Sequence, residues 1–143
     1  MDAELSDERI VEIFNKSRGA PGTQLMDFRV THSDVSQGII RATCTLDDRF
    51  TNPMGTIQGG FLVAALDEVM TVAAIAKSGL NIYAPSLEIK TSYIKPIKPG
   101  LIPAEGRVVR LGKSVAFLEG TLFNQNEEVA VKATATSLIR PRG

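Results

Sequence analysis

Cysteine and histidine are almost missing from this chain: Cys44 and His32 are the single examples of each in 143 residues. One cysteine cannot form an intramolecular disulfide, which fits a reducing compartment. One histidine and one cysteine give no basis for a zinc cluster, so no metal site is expected. A dominant charge is missing as well. Lys and Arg number 16 and Asp and Glu number 16, so neither a nucleic-acid surface nor an acidic-membrane surface is expected. No Walker or dinucleotide glycine pattern occurs, which argues against nucleoside triphosphate or nicotinamide use. There is no internal repeat, low-complexity tract or linker, and the length suits one domain over residues 1–143. The N-terminus, MDAELSDERI, is acidic where a secretory signal would be basic and apolar. A cytoplasmic location follows as the expectation. The apolar run over residues 57–76 has the length of a membrane span, but Gln58, Asp67 and Glu68 interrupt it, so a transmembrane reading is rejected.

What is present has a clear order. The stretch LSDERIVEIFNKSRGAPG, residues 5–22, predicts a short amphipathic helix in the 1–20 segment, with Ser6 as N-cap, acids in its first turn, and Gly19 and Pro21 ending it. Residues 25–35 and 38–46 are β-type segments turning around Ser36-Gln37-Gly38. Residues 47–58 hold Asn, Pro and Gly and form a loop. A long helix is predicted over 60–77, with Lys77 in its last turn and Gly79 as the stop signal. Its circumference is apolar except for one stripe of Asp67, Glu68, Thr71 and Ser78. Beyond it the pattern changes to period two in SLEIKTSYI, SVAFLEGTLFNQ and EVAVKATATSLIR, giving three or four strands. Asn124-Gln125-Asn126 turns between two of them, and Pro96, Pro99, Gly100 and Pro103 crowd the connection before Arg107. Strands and helices do not alternate. The order argues for an α+β domain in which a mainly antiparallel sheet wraps one central helix.

Two carboxylates in the most apolar helix need a reason, because a bare carboxylate in apolar surroundings is costly without a partner. The stretch NPMGTIQGG, with an Asp fifteen residues after its Asn, resembles the motif of hot dog fold acyl-CoA thioesterases of the phenylacetic-acid-degradation type. The resemblance runs over residues 28–139. Its motif falls on Asn52, Gly55, Gln58, Gly59, Gly60 and Asp67, and departs at Gln58, where His is commoner. An amide can orient a ligand or water but cannot shuttle a proton near neutral pH. The resemblance implies the hot dog fold, the Gly59 amide as oxyanion donor, a hydroxyl at Ser86 near the catalytic water, and a site shared across a homodimer, with a dimer of dimers common among relatives.

The chemistry can also be argued from the residues. Thioester hydrolysis needs a base for water and donors for the charge on the carbonyl oxygen. Asp67 suits the first role, and a glycine-rich helix N-terminus suits the second. Seven residues along a helix separate Gly60 from Asp67 by ~10 Å, too far for both to serve one carbonyl. Asn52 either shapes its loop or orients the water or Asp67, and Thr71 either bonds water or substrate or turns back on its own helix. Phe61, Leu62 and Met54 are candidates to line an acyl pocket. Lys90, Lys95, Lys98, Arg107, Arg110 and Lys113 form the densest cationic region, suited as a group to coenzyme A phosphates. His32 reads as a packing or surface residue, and Cys44, alternating with Ala42 and Leu46, as a small core residue rather than a nucleophile. No cofactor is expected beyond coenzyme A as part of the substrate. Two other functions stay open: a non-catalytic acyl-CoA-binding module, and an acyl-thioester dehydratase or hydratase, which the missing His at 58 counts against.

Overall fold

Ser6 caps the first helix, α1 (Asp7–Lys16), its hydroxyl accepting from the Arg9 N–H at 3.1 Å. The computed structural model describes residues 5–17 and 19–143; residues 1–4 and Arg18, part of the expected 1–20 segment, lie outside it. Gly19 breaks the chain with φ +69°. Pro21 does not end a helix but begins one: it takes the first position of α2 (Pro21–Leu25), where a missing N–H loses no bond. The strand expected from residue 25 therefore starts four residues later, as β1 (Arg29–Asp34).

Gly38, with φ +68°, completes the turn into β2 (Ile39–Leu46). A 3-10 turn (Asp48–Phe50) and a bridge between Thr51 and Ile57 shape the loop that follows. The long helix, α3, spans Gly59–Lys77. It stops as its sequence predicts. Gly79 has φ +73°, the Gly79 N–H donates to Ala76 O and the Leu80 N–H to Ile75 O, both at 3.0 Å, the paired bonds of a Schellman end. Then come β3 (Ile82–Tyr83), β4 (Ser86–Tyr93), β5 (Gly100–Leu111), β6 (Val115–Phe123), β7 (Val129–Leu138) and β8 (Arg140–Pro141).

Six strands form one antiparallel sheet in the order β1-β2-β5-β6-β7-β4, and β3 pairs with β8 apart from it. β5 corrects the sequence reading, which left Gly100 and Pro103 in a connection. Pro103 pairs with Thr43 of β2, while β6 joins β5 only from Ala104 onward, so the proline takes no bond from the β6 ladder. β4 is an edge strand with one irregularity. Between Ser86 and Glu88 its register shifts by one residue against β7. That bulge puts Ser86 on the same face as Ile89, Thr91 and Tyr93 and leaves Leu87 61% exposed, whereas strict alternation would have set Ser86 on the opposite face.

The sheet wraps α3, whose Leu62, Leu66, Val69, Met70 and Val72 are buried in the core. This covering accounts for a helix that, by length and composition alone, is apolar enough to cross a membrane. Cys44 is fully buried in β2, and burial pushes its thiol up to about 12, consistent with a small core residue. His32 lies exposed on β1. Helix and sheet touch through backbone at Gly106 of β5, where a Cβ would stand 2.3 Å from the carbonyl oxygen of Val69. Gly106→Ala must therefore push α3 off the sheet. We expect a loss of about 3 kcal/mol or more, seen as a melting temperature lowered by roughly 10 °C; an unchanged melting temperature would contradict this packing.

Candidate active site

Asp67 sits midway along α3, half-buried, and its carboxylate is held from the sheet. The Ser86 hydroxyl donates to Asp67 Oδ1 at 2.6 Å, across 19 residues, and the Thr71 hydroxyl lies 3.5 Å from the same oxygen. The first is a strong charge-assisted bond, while the second is at the limit of bonding. Both depend on local folding. The β4 bulge turns Ser86 inward, and the i, i+4 spacing stacks Thr71 one turn after Asp67.

Glu68, the adjacent carboxylate, faces elsewhere. It accepts from the Thr23 hydroxyl of α2 at 2.9 Å. Burial raises its proton affinity above the usual carboxylate range; the Thr23 bond works against this and neighbouring Asp67 adds to it. Glu68 thus ties α2 to α3 and does not join the Ser86–Asp67 pair.

At the other end of α3 the backbone is open. Gln58 occupies the N-cap position, but its side chain makes no capping bond. The Phe61 and Leu62 N–H groups donate to Gln58 O at 3.0 and 3.4 Å. The N–H groups of Gly59 and Gly60 have no acceptor among the described residues. These are two free donors at the positive end of a 19-residue helix. The two glycines differ in what surrounds them. A Cβ on Gly59 would stand 2.8 Å from the Tyr93 hydroxyl, whereas a Cβ on Gly60 would meet nothing within 4 Å. The Tyr93 hydroxyl donates to Gly59 O at 2.9 Å.

The preceding loop is organised around Asn52. Its Oδ1 accepts from the Met54 and Thr56 N–H groups at 3.0 and 3.2 Å, and its Nδ2 donates to Thr56 Oγ1 at 2.9 Å. The side chain is engaged in shaping the loop, whose turn uses Gly55 at φ +80°. Met54 is 87% exposed, and Phe61, at 38%, packs edge-on against Phe50 with ring centroids 4.9 Å apart. Leu62 is buried in the core.

The cationic group is not one cluster. By register, Lys95 follows the end of β4 that lies beside Val131 and Leu122, while Lys113 follows the end of β5 that lies beside Ala116 and Ser137. They stand at opposite ends of the sheet. Lys95 pairs with Glu128, and Arg107 lies 3.9 Å from Glu105, which also pairs with Arg41.

Residues 54–131 match the thioesterase superfamily. The chain belongs to that family. The phenylacetic acid degradation-related protein of Ralstonia eutropha JMP134 is 25% identical, with a TM-score of 0.82 over 90% of this chain and 98% of that one. A Streptococcus mutans UA159 protein solved with acetyl-CoA is 23% identical, with a TM-score of 0.72 over 80% of this chain and 90% of the other. A Pasteurella multocida (strain Pm70) protein carrying a provisional esterase name is 23% identical over 80% of this chain and 82% of its own length. The antiparallel sheet around one long helix is therefore the hot dog fold of a thioesterase of the phenylacetic-acid-degradation type, and thioester hydrolysis is the activity that membership supports.

Two contacts of this thioesterase-superfamily chain were not anticipated from its sequence: Tyr93 with Gly59, and Thr23 with Glu68. Both join residues far apart in sequence, and only the place of Tyr93 in the SLEIKTSYI alternation hinted at its face.

Glu68 gives a pH-dependent test. A carboxyl with raised proton affinity in the folded state favours folding when protonated, so its contribution is lost as pH rises from its unfolded to its folded value. Glu68→Gln stays neutral and keeps an acceptor for Thr23. Its melting temperature should exceed that of the wild type at pH 7, with the difference closing at about pH 4 and below. Equal or lower stability at pH 7 would contradict this environment.

Proposed function

We propose that the protein hydrolyses acyl-CoA thioesters to free acid and coenzyme A. The observation that carries this reading is Asp67, one of two adjacent carboxylates on a mainly apolar helix, fixed at 2.6 Å by Ser86 on a helix whose N-terminus offers two free N–H groups. The acetyl-CoA held by the Streptococcus mutans relative supports coenzyme A thioesters as the substrate class.

Water bonds to the carbonyl carbon as Asp67 takes one of its protons, and the carbonyl electron pair moves onto oxygen. That oxygen faces the Gly59 and Gly60 N–H groups, whose dipoles favour the charge. When the pair returns, the carbon–sulfur bond breaks and the coenzyme A thiolate takes the proton from Asp67. Acid and thiol are released, and no cofactor is consumed. Gln58 beside the donors contributes an amide that orients the substrate but carries no proton.

Base and donors lie on one helix, eight residues and ~12 Å apart, so a single copy cannot apply both to one carbonyl. A second copy can. Among the described residues the outer edge of β4 has no strand against it, and Leu87, Tyr93 and Ile94, on that strand or just after it, are all more than half exposed. A homodimer joined there would set Asp67, Thr71 and Ser86 of one copy against the Gly59 end of the other. Met54 and Phe61, exposed beside the donors, suit contact with the acyl group, and Lys98, Arg110 and Lys113 have no ion pair among the described residues and suit the phosphates. Lys95 would have to leave Glu128 to do so.

Free-thiol release from short, medium, long and arylacetyl coenzyme A thioesters tests the reading. Asp67→Asn should lower turnover by about 10²-fold or more while thioester binding persists. Binding without turnover by the wild type on every thioester would favour an acyl-CoA-binding module instead.

A further inference from the structure

Tyr93 ends β4, on the face that the strand turns toward α3, and its hydroxyl reaches the helix at its first carbonyl. The contact is close in two ways. The hydroxyl donates to Gly59 O at 2.9 Å, and the ring lies so near the Gly59 α-carbon that a Cβ would stand 2.9 Å from Cζ and 3.1 Å from Cε1. Gly59 is thus a glycine because Tyr93 covers it. Gly60 has no such reason within the chain, since nothing lies within 4 Å of where its side chain would be. A glycine in a helix lowers stability relative to almost any other residue, so its place here suits a substrate that must approach that backbone closely.

The carbonyl of Gly59 and the N–H of Gly60 belong to the same planar peptide. A hydrogen bond accepted by the oxygen draws electron density out of the amide and makes the N–H at its other end a stronger donor, as linked hydrogen bonds polarise one another. It also holds the peptide plane still. Without it, two consecutive glycines would be among the softest backbone in the molecule, and an oxyanion donor works by being fixed before charge develops.

We infer that Tyr93 is a positioning residue for the hydrolysis proposed above: it clamps and polarises the Gly59–Gly60 peptide so that the Gly60 N–H acts as a second oxyanion donor beside that of Gly59. The inference rests on that reading of function. Tyr93 keeps its proton throughout and touches the peptide, not the substrate. β4 therefore serves both halves of the chemistry, with Ser86 at one end holding Asp67 and Tyr93 at the other holding the donors.

Tyr93→Phe keeps the ring against Gly59 and removes only the hydroxyl, and two measurements read its effect. In ¹⁵N-labelled protein the Gly60 amide resonance should move upfield while amides far from α3 keep their positions, whether or not substrate is present. In thiol release, kcat should fall about tenfold with KM changed less than about twofold, the sign of an interaction that matters at the transition state. A Gly60 resonance and a kcat both at wild-type values would overturn the inference. So would lower thermal stability with kcat unchanged, which would make Tyr93 a packing residue. A wild type without turnover whose Gly60 resonance still moves in Tyr93→Phe would overturn the proposed reaction, and Tyr93's part in it, while leaving the Tyr93–peptide coupling in place.

Discussion

The contact of α3 with β5 at Gly106 is the constraint on which the rest of this fold depends. A carbonyl oxygen of the helix lies where a side chain would begin, and at Gly120 of the next strand a Cβ would stand 3.0 Å from Leu66 Cδ2 and Met70 Cγ. The helix cannot slide or roll on such a surface without collision. Its circumferential angle is therefore set, and with it the direction in which Asp67 emerges. That direction is toward β4, where Ser86 waits.

From this follows a division of labour along one helix. The middle supplies a carboxylate and the N-terminus supplies backbone donors, while one strand, β4, bonds to both places. Apolar residues elsewhere on α3 do the ordinary work of a core, and their burial keeps the polar groups in register. Glu68 shows the contrast. It neighbours Asp67 in sequence but points to Thr23, where it fastens the short α2 helix over the core helix. Adjacent carboxylates on a helix diverge by about 100°, so one can belong to the site and the other to the structure.

Much of this was legible in the sequence, and the failures have identifiable causes. The long helix showed itself by its apolar circumference and by Gly79, and the loop before it by Asn52, Pro53 and Gly55. Asp67 stood out because a carboxylate there contradicts its surroundings. Pro21 and Pro103 misled for one reason: proline was read as a breaker, although it fits the first turn of a helix and the part of a strand that has lost one neighbour. The bulge at Ser86 was invisible because alternation assumes constant register. Tyr93 and Thr23 act across 34 and 45 residues, and such contacts arise from how elements pack, which local patterns do not encode. Asn52 carried two readings, and its bonds in this structure are those of a loop organiser.

The central claim is that base and donors meet across two copies of the chain, and complementation measures it directly. Asp67→Asn removes the proposed base. Gly60→Leu fills the open space beside the donors, should not disturb the fold, since nothing outside its chain neighbours and its own helix backbone lies within 4 Å of the Cβ position, and replaces a poor helix former with a good one. Each variant alone should be inactive in thiol release. Co-expressed, they should form mixed dimers with one intact site of two, restoring about a quarter of wild-type turnover. Activity that stays at the level of the single variants in verified mixed dimers would contradict the shared site and return both groups to one chain.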